Sequence, residues 1–191
     1  MKIPLRFQIT EFDCGTVSLQ NAISYLFERE SIPAELVRAI SLYTLDCYDK
    51  DGKLGQGGTS VEAINLMTHW FTNYSKKNDF GIKCEHLIKE EVDIEKIRKC
   101  INKKGCVLVR SYLEEEHYII VTDMDEYNVY IWDPYYLDEK YYDSEKYVEI
   151  IFTEPFKYNR KVSLNRFNSL TKKDFSLGPI EKRECVLFNR K

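Results

Sequence analysis

Cys106-Val107-Leu108-Val109-Arg110-Ser111-Tyr112-Leu113-Glu114-Glu115-Glu116-His117-Tyr118-Ile119-Ile120-Val121-Thr122-Asp123-Met124-Asp125-Glu126-Tyr127-Asn128-Val129-Tyr130-Ile131-Trp132-Asp133 contains three short β-branched and aromatic runs separated by polar turns. Such runs, at 106–109, 118–121 and 129–132, read as strands. Val148 to Phe152 and Cys185 to Phe188 look similar, and Ile82 to Ile88 is a further short strand. Upstream the apolar period lengthens to that of a helix. Leu19, Ala22, Ile23 and Leu26 predict a helix from Cys14 to about Phe27, and Leu36, Ile40 and Tyr43 predict a second behind Pro33. Val61, Ile64, Met67 and Phe71 predict a third after a Thr59-to-Glu62 capping box, and Ile94, Ile97 and Ile101 a fourth ending near Gly105. Helices first and strands later define an α+β fold. We expect one domain over 1–191, with a helical lobe over about 1–104, an antiparallel sheet over about 105–191, and a long polar excursion from Lys157 to Lys173.

The 191 residues carry a formal charge of -3, which excludes the basic excess of a nucleic-acid binder. No apolar run has the length of a signal peptide or a membrane span, so the expected partners include neither nucleic acid nor membrane and the expected location is the cytoplasm. Six cysteines at irregular spacings read as free thiols. No Cys-x-x-Cys pair occurs and Cys84-Glu85-His86 is the one close Cys/His couple, so neither a metal nor a cofactor is expected. Gly55-Gln56-Gly57-Gly58 is not a phosphate loop, because no Lys-Ser/Thr follows. Gly57 and Gly58 offer a backbone that an extended substrate can approach; the simpler reading is a flexible turn before a helix. The tyrosines crowding Tyr127 to Tyr147, with Trp132 among them, suit a binding cleft or a packed sheet face.

Chemistry concentrates in Gln8-Ile9-Thr10-Glu11-Phe12-Asp13-Cys14-Gly15. A thiol at a helix N-terminus meets the positive end of the helix dipole and unpaired backbone N–H groups, and both favour the thiolate. Cys14 is therefore the candidate nucleophile. Asp13 is expected to cap the helix, and Gly15 to admit a substrate backbone or close helix packing. A cysteine hydrolase also needs a base, a group that orients the base, and donors for an oxyanion. Of three histidines, His117 stands at a strand start. A hairpin centred on Asp125 pairs positions that sum to 250, which sets His117 opposite Asp133, Ile119 opposite Ile131 and Val121 opposite Val129.

Gln8, Asp13-Cys14-Gly15, Leu19, Gly58-Thr59-Ser60, His117-Tyr118-Ile119-Ile120-Val121 and Trp132-Asp133-Pro134 together resemble the bacteriocin-processing cysteine peptidase family. The resemblance implies a papain-like fold and a peptide or small amide substrate, typically a leader peptide cut after a double glycine. It implies Cys14 as nucleophile, His117 as base and acid, Asp133 as orienting residue and Gln8 as oxyanion donor. An acyltransferase using the same triad and a non-catalytic binding module are the alternative functions. No family landmark is found beyond about residue 150.

Overall fold

The computed structural model describes residues 1–191. Its main helices are α1 (Cys14–Leu26), α2 (Ala34–Tyr43), α3 (Val61–Asn78), α4 (Ile94–Asn102) and the single turn α5 (Leu164–Phe167). Its strands are β1 (Ile82–Ile88), β2 (Cys106–Leu113), β3 (Glu115–Met124), β4 (Asn128–Trp132), β5 (Val148–Ile150), β6 (Arg160–Ser163) and β7 (Glu184–Arg190). All seven strands join one antiparallel sheet in the order β1-β7-β2-β3-β4-β6-β5. The fold is α+β, and no helix is long and apolar enough to cross a membrane.

The alternation along β2 and β3 splits the interior into two cores. Cys106, Leu108, Tyr118 and Ile120 face α1, whose Leu19, Ala22, Ile23 and Leu26 form the expected apolar stripe; α2 and α3 complete this layer with Leu36, Ile40, Ile64, Met67 and Phe71. Val107, Val109, Ile119 and Val121 face the other way, under Ile97 and Ile101 of α4 and Phe167 of α5. Each such fully buried side chain stabilises the fold by roughly 1.5–3 kcal/mol.

Three local expectations change. The β3–β4 register sums to 252 near Val121↔Ile131 and Ile120↔Trp132, with a bulge between Val121 and Asp123, instead of 250 throughout. The cause is the turn: the Asp125 carboxylate accepts from the N–H groups of Tyr127 and Asn128, which sets the reversal later than a tight turn on Asp125. The span 157–173 is not an excursion, because Arg160, Val162 and Phe167 are buried and supply β6 and α5. The cap of α3 is Ser60, whose hydroxyl accepts from the Ala63 N–H at 3.0 Å while Asp46 takes the Ser60 N–H and O–H.

Candidate active site

Cys14 is the first residue of α1, and its fixed place follows from how α1 is held. The Ser18 hydroxyl donates to the Tyr118 carbonyl at 2.9 Å, tying the helix to β3 one residue past His117. A Cβ on Gly15 would stand 2.8 Å from Thr59 and 3.2 Å from the Tyr118 ring, so this glycine serves close packing of α1. Asp13 occupies the N-cap position, but its carboxylate gives the helix no cap bond. It turns back to accept from the N–H of Thr10 at 2.9 Å, the Thr10 hydroxyl at 2.9 Å and the N–H of Ile9 at 3.3 Å, and so shapes the loop ahead of the cysteine.

His117 and Asp133 meet: Nε2 of the ring is 2.7 Å from Oδ1 of the carboxylate. The displaced register shifts the partners by an even number of residues, so both side chains keep the same sheet face. With Nε2 committed to Asp133, Nδ1 is the ring nitrogen left for the thiol. Burial opposes a charge on His117, but Asp133 and the Cys14 thiolate outweigh it and raise the imidazole to about 10. Burial likewise opposes the Cys14 thiolate, yet the charge and hydrogen bonding of His117, with backbone groups of Tyr118 and Gly15, bring the thiol below its ordinary value. The other five cysteines, Cys47, Cys84, Cys100, Cys106 and Cys185, are all pushed up, chiefly by burial.

Asp133 is itself held from every side. Its N–H donates to Asn159 Oδ1 at 2.8 Å, and its carbonyl accepts from Asn159 Nδ2 at 2.7 Å. Its Oδ1 also accepts from the Tyr135 N–H, and its Oδ2 lies 3.4 Å from Nη2 of Arg160. Arg160 and Asn159 escaped the sequence reading because they fall in the span read as an excursion; an arginine framed by strand-like residues was the one available signal.

Gln8 is fixed by its backbone, which donates to the Pro134 carbonyl at 2.8 Å, next to Asp133. Its amide donates to the Thr10 carbonyl at 2.7 Å, and Gln8 does not line the cleft. Trp132, expected to contact substrate, is buried at 3% exposure: its indole donates to the Arg6 carbonyl at 3.0 Å and packs on Phe7. The indole holds the N-terminal segment because its place on β4 faces the α1 core.

A cavity of about 490 Å³ opens over the pair, lined by Cys14 and His117, by Gly57 and Gly58 on one wall and by Tyr135, Leu137 and Tyr141 on another. Gly58 has φ +80, a backbone that disfavours any side chain. A cavity of about 510 Å³ beside β5 and β6 is slightly larger, but it contains neither cysteine nor histidine. His69 and His86 lie elsewhere; both ring nitrogens of His86 are engaged, by Asn65 and by Glu184, whose other oxygen accepts from the Tyr118 hydroxyl at 2.6 Å.

A solved double glycine motif protease from an AMS/PCAT transporter, in complex with its leader peptide, is similar to this chain at 13% identity and a TM-score of 0.48, over 100% of this chain and 93% of that one. No curated protein matches the sequence. The model of the family described as Peptidase_C39 like matches residues 1–162, most of the length, and the chain belongs to that family.

Proposed function

We propose that this protein is a papain-like cysteine peptidase, a single domain over residues 1–191, that cuts a peptide through an acyl-enzyme on Cys14. The observation that carries the reading is that Cys14, alone among six cysteines, is held below its ordinary pKa, in the same cavity as a histidine clamped by a buried aspartate. Membership of a peptidase-like family supports it.

In this reading the Cys14 thiolate attacks the scissile carbonyl, and imidazolium His117 protonates the leaving amine as the tetrahedral intermediate collapses to the thioester. Neutral His117 then takes a proton from water, the hydroxide attacks the thioester, and acid is released with the proton returned to the thiolate–imidazole pair. Asp133 keeps the ring oriented and favours its charged form. Gln8 supplies an oxyanion donor beside the Cys14 N–H by turning its amide from the Thr10 carbonyl when substrate is bound. Gly57 and Gly58 border the extended substrate.

Iodoacetamide labelling at pH 6, followed residue by residue, tests the nucleophile. Cys14 is expected to react well ahead of Cys47, which is more exposed yet shifted up. A Cys14 no faster than Cys47 removes the reading. Peptide turnover that survives Cys14→Ala does so as well.

A further inference from the structure

The chemistry above makes no use of the acidic run that precedes His117. We propose that the cleft selects a basic stretch of substrate, with Glu115 as the carboxylate that pairs with a lysine or arginine side chain close to the scissile bond; this rests on the peptidase reading of Cys14.

The cavity over Cys14 and His117 is lined by Glu11, Glu114, Glu115 and Glu116 and by no lysine or arginine. Its floor holds reactive groups that are at least nine-tenths buried, Cys14 at 9% and His117 at 7% exposure, so the carboxylates are walls of a cavity built around chemistry and not an isolated acidic patch. The thiolate–imidazolium pair has no net charge and leaves the field of those walls uncancelled. Two of the four already face partners: Glu116 pairs with Arg110, and Glu11 stands beside the Tyr135 hydroxyl, which it holds above the ordinary phenol value. Glu114 sits in the hairpin turn at φ 60, its N–H on Asp174.

Glu115 has neither an ion pair nor a side-chain hydrogen bond, and it precedes His117 by two positions on β3. Alternation puts both on one face of the strand, about 7 Å apart. An extended peptide likewise presents alternate side chains about 7 Å apart, so a side chain two positions from the one at the imidazole can meet Glu115. That spacing is within a Debye length, so the Glu115 charge is felt at His117 and at the thiol with which the imidazole shares the cavity.

The test compares rates of Cys14 modification by three methanethiosulfonates, the cationic 2-aminoethyl, neutral methyl and anionic 2-sulfonatoethyl reagents, with each cysteine followed by peptide mass mapping. The cationic reagent is expected to outpace the anionic one at Cys14 by about tenfold. That ratio falls severalfold in Glu115→Gln and inverts in Glu115→Lys, while the ratio at Cys47 stays put. In wild type, internally quenched peptides with one position set in turn to Lys, Gln or Glu are expected to rank in that order in kcat/KM; this arm needs no variant to fold. Equal rates for the charged reagents, or a cation preference that both Glu115 variants retain, overturns the proposal and leaves the peptidase reading standing. A Cys14 slow toward all three reagents, the neutral one included, overturns the nucleophile reading and this proposal with it.

Discussion

Asp133 Oδ2 stands 3.4 Å from Nη2 of Arg160, and neither side chain has any exposure. The arginine's fork reaches three groups at once: Nη1 donates to the Asn159 carbonyl at 2.9 Å and Nη2 to the Tyr135 carbonyl at 3.0 Å while facing Asp133. It pins the backbone two residues past the aspartate as well as facing the carboxylate charge. Arg160→Met therefore leaves a buried carboxylate with His117 as its one charged partner, and urea unfolding should show a loss of about 3–5 kcal/mol. Arg160→Lys should recover less than half of that, because an ammonium cannot span the two carbonyls.

The pair of shifts at Cys14 and His117 gives a shaped dependence of stability on pH. His117, raised to about 10, contributes stability that is fully present below the unfolded imidazole's value of about 6.5 and is lost as pH rises toward 10. Cys14, lowered, contributes with the opposite slope: its share is present above the unfolded thiol's value of about 8.5 and is lost as pH falls through the folded thiol's lower one. The two slopes oppose each other, so the pair's dependence on pH is flatter than that of His117 alone. Cys14→Ala deletes the compensating group, and its chemical-denaturation series should decline more steeply through neutral pH than that of wild type. Parallel curves would show that the two groups are not coupled.

Gln8→Ala should lower kcat on a cleaved peptide by about a hundredfold or more with little change in KM, the pattern of a donor used mainly in the transition state. Its backbone bond to Pro134 is independent of the side chain, so the variant should unfold close to wild type. Full activity in Gln8→Ala takes the residue out of the mechanism.

Gly15→Ala forces a methyl group to 2.8 Å from Thr59, at the point where α1 meets the start of α3. Overpacking of this kind costs about 1–3 kcal/mol, and here the helix that yields carries the nucleophile. We expect both a lower midpoint in urea and slower alkylation of Cys14. A variant with wild-type stability and reactivity would mean that Thr59 moves freely.

The sequence displayed the helical stripe of α1, the strand runs of β2 to β4 and the His117/Asp133 pairing, because each is written in local alternation. The pairing withstood a register error since the error was even; a displacement by one residue would have turned the two side chains to opposite faces. What escaped was non-local or conferred by context. The bulge after Val121 depends on a turn that Asp125 builds with its own carboxylate. Asp13 looks like a helix cap by composition, but the loop behind it offers three donors and wins the carboxylate. Trp132 reads as a cleft aromatic until β4 turns it toward α1. Arg160 looks solvent-exposed among polar neighbours, and its burial follows from the pairing of β6 with both β4 and β5.

Strand β7, residues 184–190, lies between β1 and β2, beyond the 1–162 span of the family match. Without it β1 and β2 would face each other across an empty slot with two unpaired edges, each a template for another chain. The same strand brings Glu184 to the Tyr118 hydroxyl, beside the helix that bears Cys14. Strand β7 thus works as a keystone: a stretch outside the matched span closes the sheet behind the helix that bears the nucleophile.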